Sequence, residues 1–160
     1  MTAAVATPLR CVVDASVGIK LFLAEALSDR ADALFLHLAA DPPGEIYVPD
    51  LFFIECTNIF WKHIRRSGYP PGKAQGDLAD LGALALRSIP TSVLMAEALA
   101  IAVKETLSAY DACYVALARH VGVPMVTADE KLARALAGAS YAIHWLKDFP
   151  IPPLPISSRP

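Results

Sequence analysis

The feature that most constrains the fold is an alternation of short apolar runs with longer amphipathic stretches. The runs CVV, IYVP, SIPTSV, PMVTA and YAIHW are separated by segments whose apolar residues recur at helical spacing. Strands that alternate with helices favour a mainly parallel sheet, and such a sheet is covered by helices on both faces. The sequence therefore predicts an α/β fold with a mainly parallel central sheet.

Helix boundaries are also marked in the sequence. Residues 16–40 predict one or two helices with Ser28 as an N-cap, and Pro49 with Asp50 leads into a long helix that breaks at Gly68. Further helices are predicted over about residues 72–88, 92–105, 108–121 and 129–138. Gly122 and Gly138 are the predicted stops of the last two.

The chain has the length of one ordinary domain, with 160 residues and no internal repeat. We expect a single domain over residues 1–148. The remaining residues, 149–160, are too rich in proline to join the fold and predict a flexible tail. PxxP spacing in this tail is also typical of segments that bind aromatic grooves, but the flexible end is the favoured interpretation.

The composition is apolar for a soluble chain, with 55% hydrophobic and 19% charged residues. This predicts that some surface is buried in a partner or in a second copy of the chain, so we expect a homodimer. Charged or polar residues such as His37 and Glu97 interrupt the longest apolar runs, which argues against a membrane span. The first residues lack a basic region followed by a long apolar stretch, so we expect a cytoplasmic protein.

Cysteine content and net charge exclude other classes. The three cysteines, Cys11, Cys56 and Cys113, form no CxxC pair and are expected to fill the core. A net charge of −2 excludes nucleic-acid binding by the whole surface. One local stretch, residues 61–76, is basic without any acid, and its candidate RNA-binding residues are Lys62, Arg65, Arg66 and Lys73. A solvated helix end, where cations suit the helix dipole, explains the same stretch equally well.

Two acids stand inside otherwise apolar helical segments. Glu55 lies within LFFIECTNIFW, three residues before Asn58 on the same helix face, and Asp111 lies near the start of SAYDACYVALA. A buried carboxylate is costly unless it is protonated, paired with a cation or bound to a metal ion. These positions therefore indicate either a structural ion pair or a functional site.

Two further acids follow predicted strands. Asp14 comes directly after CVV, and Asp129 comes directly after the run MVTA. The carboxyl ends of parallel strands meet at the edge where open α/β sheets bind ligands. Each acid alone is explained by helix capping, by a helix dipole or by a nearby base. Four carboxylates at one edge without matching buried cations instead predict a bound cation.

The chemistry of this acidic set favours a hard divalent cation. Oxygen ligands without histidine or cysteine partners point to Mg²⁺ or Mn²⁺, which suit the hydrolysis of a phosphodiester. The phosphate-binding loop GxxxxGK[ST], the dinucleotide fingerprint GxGxxG after the first strand and the GxSxG elbow are all missing. A metal-dependent phosphodiesterase is therefore the predicted activity.

Four segments in this order and spacing closely resemble the PIN-domain family, and within it the VapC-type toxins of toxin–antitoxin pairs. They are VVDASVGIKLFL, VPDLFFIECTNIFW, LSAYDACYVALA and PMVTADEKLARAL. The resemblance covers about residues 11–146. It implies a three-layer α/β/α sandwich, a Mg²⁺- or Mn²⁺-dependent endoribonuclease, and inhibition by a small VapB-type antitoxin.

The resemblance also implies the roles of individual residues. Carried over by motif, the catalytic and metal-binding acids are Asp14, Glu55, Asp111 and Asp129. Supporting polar residues fall at Ser16, Asn58 and Thr127, for which capping or hydrogen bonding to the acids is an equal alternative. Many relatives carry another acid shortly beyond the last aspartate. Here Glu130 is adjacent to Asp129 and does not share its helix face, so it is not counted as a ligand and the metal count stays open.

Two other functions remain open from the sequence. A non-catalytic PIN-like module would use the same fold for binding or assembly, and it is distinguished by the absence of RNA cleavage with Mn²⁺. A phosphatase would need an aspartate nucleophile in a DxD turn, whereas Ala15 and Ser16 follow Asp14. The preferred prediction is an endoribonuclease toxin that attacks exposed single-stranded or looped RNA.

Overall fold

A single five-stranded sheet forms the centre of the molecule. The computed structural model describes residues 7–155. All neighbouring strands are parallel, in the order β3-β2-β1-β4-β5. The strands are β1 (Arg10–Val13), β2 (Glu45–Pro49), β3 (Arg87–Ile89), β4 (Met125–Thr127) and β5 (Ile143–Trp145). The α/β fold with a parallel sheet is thus confirmed.

Seven α-helices connect these strands in the described part of the chain. Right-handed crossovers place the helices before β3 on one face of the sheet and those after β3 on the other, because the direction of strand addition reverses there. The result is the predicted α/β/α sandwich. The helices are α1 (Ala15–Gly18), α2 (Ser28–Phe35), α3 (Leu51–Ser67), α4 (Pro71–Ala83), α5 (Met95–Glu105), α6 (Ala109–Val121) and α7 (Glu130–Ala135).

The core lies between the sheet and its helices. The inner strands β1, β2 and β4 are almost wholly buried, since each is covered on both faces. Helix α6 is buried from Ala112 to Ala118 and contacts both β1 and β2. The three cysteines are buried as predicted, and desolvation raises the pKa of Cys11 to about 12 and that of Cys113 to about 11, so these thiols are inert.

Glycine ends two helices where the sequence predicted it. Gly68 and Gly122 both adopt the left-handed conformation, with φ of 67° and 75°, and their N–H groups bond back to carbonyls of α3 and α6.

The helices among residues 7–155 are all too short or too polar to span a membrane.

Several predicted boundaries were wrong. Helix α4 ends at Ala83 rather than near residue 88, because Leu84 is already extended and leads into β3. Ser28 is the first residue of α2 and not its N-cap, since its Oγ donates to the carbonyl of Leu23 instead. Helix α7 ends at Ala135, and turns continue the chain to Gly138.

The start of the predicted proline-rich tail contacts the domain. Phe149 is buried, its carbonyl accepts a hydrogen bond from Arg30, and the carbonyl of Pro152 lies 3.0 Å from Nε2 of His37. The folded part therefore extends beyond residue 148. That the rest of this segment is flexible stays a prediction, and residues 156–160 lie outside the described residues.

Helices α1 and α3 approach each other most closely at Gly18. A Cβ atom built at Gly18 would lie 2.5 Å from Cζ of Phe52, whose ring is fully buried. This contact fixes α1 against α3, and therefore the segment after β1 against the segment after β2.

We predict that Gly18→Ala lowers the free energy of unfolding by roughly 1–3 kcal/mol, because the added methyl overpacks a site that cannot relax. Gly76→Ala is the matched control. Its Cβ meets nothing within 4 Å on an exposed part of α4, so it should stabilise by about 0.5–1 kcal/mol. Urea denaturation measures both, and equal stability of the two variants would contradict the close contact.

Candidate active site

The carboxyl edge of the sheet carries all four predicted acids. Asp14 directly follows β1, and Asp129 lies two residues beyond β4. These neighbouring strands flank the point at which the chain changes direction of strand addition, where doubly wound sheets bind ligands. Glu55 and Asp111 reach the same edge because α3 begins there after β2 and the first turn of α6 also lies there.

Asp14 is held by a network that joins the ends of β1 and β4. It is 6% exposed, and its two carboxylate oxygens accept hydrogen bonds of 2.5 Å from Ser16 Oγ and Thr127 Oγ1. The same hydroxyls accept bonds from the backbone N–H groups of Ala128 and Asp129. Ser16 and Thr127 therefore orient Asp14, and Asp14 itself, rather than Ser16, caps α1.

Glu55 has one buried partner that the sequence did not reveal. The hydroxyl of Tyr114 donates to Oε1 of Glu55 at 2.6 Å, and Tyr114 is buried. Tyr114 lies three residues after Asp111 on α6, so one face of this helix presents both groups. The sequence carries one signal that could have identified Tyr114. It is a tyrosine three residues after Asp111 in an apolar helix, and a buried tyrosine hydroxyl needs a hydrogen-bond partner.

The other predicted polar residues are more accessible. Asp129 is exposed and caps α7, accepting a bond from the N–H of Leu132 at 3.1 Å. Asp111 is half-buried, and Asn58 is exposed on the turn after Glu55. Glu130 forms an i,i+4 ion pair with Arg134 and does not join the acidic cluster.

Electrostatics show that the four carboxylates influence one another. Burial raises the pKa of Asp14 to about 6, although the bonds from Ser16 and Thr127 lower it and the charge of Asp111 raises it further. Burial also raises the pKa of Glu55, again with a contribution from the charge of Asp111. The pKa of Asp111 is raised by burial and by the charge of Asp129. Asp111 is thus the electrostatic centre of the cluster.

The donor chemistry of this cluster fits a hard divalent cation. Within residues 7–155 none of the four acids forms a salt bridge, so their charges are uncompensated by lysine or arginine. Asp14, Glu55 and Asp129 each accept a hydrogen bond from a different partner. No three metal-binding side chains in this part of the chain are grouped tightly enough to enclose an ion. Carboxylate and hydroxyl oxygens are nevertheless the ligands that Mg²⁺ and Mn²⁺ prefer.

The structure separates the four basic residues predicted to bind RNA. Lys62, Arg65 and Arg66 are exposed on the C-terminal half of α3. Lys73 instead donates to both carboxylate oxygens of Asp77, at 2.9 and 3.0 Å, and to the hydroxyl of Tyr69. Its charge is therefore largely compensated within the domain.

Comparisons with known proteins agree with this architecture. Residues 11–137 match the family model of the PIN domain. Ribonuclease VapC3 from Pyrobaculum aerophilum is 33% identical over 127 residues, covering 78% of this chain and 93% of that protein. The crystal structure of PAE2754 from Pyrobaculum aerophilum aligns with a TM-score of 0.63 at 24% identity, over 87% of this chain and 92% of that one. A toxin–antitoxin complex from Klebsiella pneumoniae aligns with a TM-score of 0.58 at 17% identity, over 84% and 95%.

We predict that Asp14→Asn stabilises the protein when divalent ions are removed with EDTA. The folded pKa of Asp14, about 6, lies above the ordinary carboxyl value of 3.8. This carboxyl group therefore favours folding below pH 3.8, and that contribution is lost as the pH rises through about 6. The charged form costs up to about 3 kcal/mol at neutral pH, which the neutral amide avoids.

Urea denaturation at about pH 7.5 and about pH 4 tests this, since the gain should shrink at the lower pH. Asp80→Asn, on the exposed face of α4, is the matched control and should change stability by less than about 0.5 kcal/mol. An Asp14→Asn protein that is no more stable than the wild type near neutral pH would contradict the burial of an uncompensated charge.

Proposed function

Because the chain belongs to the PIN domain family, we propose that it is a divalent-metal-dependent endoribonuclease and the toxin of a toxin–antitoxin pair. The observation that carries the proposal is the cluster of four mutually repelling carboxylates at the switch point of the sheet, none of them paired with a cation among residues 7–155. The name and 33% identity of Ribonuclease VapC3 support RNA as the substrate.

Each residue of the cluster has a distinct role in this proposal. Asp14, Asp111 and Asp129 bind Mg²⁺ or Mn²⁺, and Glu55 completes the binding or accepts a proton from the attacking water. When bound, the ion supplies a Lewis acid that orients the phosphate and eases deprotonation of that water. Ser16 and Thr127 hold Asp14 in place, and Tyr114 occupies one oxygen of Glu55.

The pattern of contacts suits an in-line attack on an exposed phosphodiester. Asp14 is buried whereas Asp129 is exposed, so the cluster extends from the core to the solvent at the sheet edge. A strand of RNA reaches such an edge only where its phosphates are accessible, which favours single-stranded or looped substrates. We place this activity in the cytoplasm, together with its RNA substrate.

We predict that Asp111→Asn reduces RNA cleavage by at least about 100-fold, because Asp111 is the electrostatic centre of the ion-binding cluster. Glu130→Gln should retain activity, since Glu130 pairs with Arg134. The assay follows fragments from mixed RNA with Mn²⁺, with and without EDTA. Full cleavage in EDTA or by Asp111→Asn would contradict a metal-dependent site, and no cleavage by the wild type would favour a non-catalytic module.

An antitoxin partner is part of the same proposal. The structural neighbour from Klebsiella pneumoniae is a toxin–antitoxin complex, and this chain shares its fold. We propose a VapB-type antitoxin that inhibits the enzyme by covering the carboxyl edge of the sheet. A short upstream reading frame encoding a DNA-binding protein would support this assignment.

A homodimer is proposed from one exposed face of α5. Met95, Leu99 and Val103 form an i, i+4, i+8 row in which each side chain is 62–75% exposed, and a row of small residues, Ala96 and Ala100, runs beside it. A ridge beside a groove on one helix fits a second copy of itself, because each ridge fills the groove of the other.

The charged residues of α5 lie away from this row. Around an ideal helix Glu97 and Lys104 stand about 140–160° from Leu99. Glu97 is paired with Arg119 and Lys104 with Glu105, so both charges are compensated within the domain. Apolar contact and shape, rather than charge, therefore favour a second α5 as the partner.

We predict that Leu99→Lys converts the dimer to a monomer, because it places a charge at the centre of the apolar row. Leu36→Lys is the control, since Leu36 is 57% exposed on another surface and should leave the dimer intact. Light scattering coupled to size-exclusion chromatography measures the mass. A wild-type monomer at high concentration would contradict the proposed interface.

A further inference from the structure

Helix α3 carries an acid of the proposed active site and two cations along one line. Glu55, Lys62 and Arg66 are separated by seven and eleven residues, which places both cations within about 20° of Glu55 around an ideal helix. Along the axis they lie roughly 10 Å and 16 Å beyond Glu55. A chain laid along this line of α3 from the acidic cluster therefore meets Lys62 and then Arg66.

The two cations line a shallow concavity on the surface. Its volume is about 230 Å³, and its other lining residues are Ile59, His63 and Ser67. Both Lys62 and Arg66 are exposed, and neither forms a salt bridge in the described part of the chain. The concavity thus presents uncompensated positive charge in an otherwise acidic protein.

The neighbouring basic residues do not share this arrangement. Arg65 points to a different side of α3, where its guanidinium lies 5.8 Å from the centre of the Trp61 ring. Lys73 is paired with Asp77. Favourable interaction with the helix dipole explains Arg65 and Arg66 in the last turn, but it does not extend to Lys62.

We propose that Lys62 and Arg66 form a track that binds the phosphate backbone of the RNA on one side of the cleaved bond. This inference rests on the proposed endoribonuclease function and assigns the substrate contacts of the same site. Lysine offers a point charge and arginine a two-pronged donor to phosphate oxygens, and neither reads the base. The track therefore contributes affinity and strand position without sequence preference.

Steady-state cleavage of a long single-stranded RNA tests the track. The double variant Lys62→Ala/Arg66→Ala should raise KM by about ten-fold or more while kcat changes by less than about two-fold, because the lost contacts lie away from the reacting bond. A dinucleotide has only one phosphodiester and cannot reach the track, so its cleavage should be unchanged. Arg65→Ala removes the same charge one position away and should alter KM by less than about two-fold.

RNA binding in EDTA provides a second readout that is independent of cleavage. Fluorescence anisotropy with the same labelled RNA should show weaker binding by the double variant than by the wild type or Arg65→Ala. The slope of log affinity against log salt concentration should fall in magnitude by about 1.4, the value for two lost contacts to a single strand.

The outcomes separate the two proposals. If the wild type cleaves RNA and the double variant matches it in KM, affinity and salt slope, the track is wrong while the nuclease assignment stands. If the wild type cleaves no RNA, the nuclease assignment fails, and the anisotropy measurement still decides whether Lys62 and Arg66 bind the backbone. If Arg65→Ala raised KM and weakened RNA binding as much as the double variant, the effect would be general electrostatic attraction, and the proposed track would be wrong.

Discussion

Mutual repulsion among four carboxylates at one sheet edge is the constraint on which the rest of the structure depends. The topology brings Asp14 and Asp129 together because β1 and β4 are parallel neighbours. Helices α3 and α6 add Glu55 and Asp111 because their first turns lie at that same edge. Burial and like charge raise the pKa of Asp14, Glu55 and Asp111, so the fold holds these groups together at a cost in free energy.

The packing around the cluster explains how such a cost is tolerated. Asp14 is held between two hydroxyl donors, and Glu55 is held by the buried Tyr114. Gly18 leaves room for the Phe52 ring, which sets α3 against the end of β1. These contacts position the oxygens but supply no positive charge. Neutral donors of this kind orient carboxylates while leaving their charge available to a bound cation.

Much of this arrangement could be predicted from the sequence because it follows from periodicity. Alternating apolar runs and helices imply a parallel sheet, and acids directly after two such runs must then share one edge. The ends of α3 and α6 at Gly68 and Gly122 could also be predicted from the sequence. The end of α4 could not be predicted, because the helical spacing of apolar residues continues past Ala83 while the backbone already becomes extended and leads into β3.

Side-chain pairing was harder to predict, since it depends on contacts between distant segments. Tyr114 meets Glu55 across 59 residues, and no local pattern identifies that partner. The pairing of Lys73 with Asp77 could have been predicted from their i,i+4 spacing. Lys73 was instead grouped with the residues predicted to bind RNA. Phe149 is buried next to a proline-rich stretch, because its carbonyl accepts a hydrogen bond from Arg30 and its ring packs edge-on against the ring of His144.

Binding of Mn²⁺ in the absence of RNA is the most direct test of the central claim. Electron paramagnetic resonance measures the free ion while the wild type, Asp14→Asn, Asp111→Asn and Glu130→Gln are titrated. We expect the wild type and Glu130→Gln to bind Mn²⁺ equally, and both aspartate variants to lose at least about ten-fold in affinity. Undiminished binding by both aspartate variants would show that these carboxylates do not share an ion.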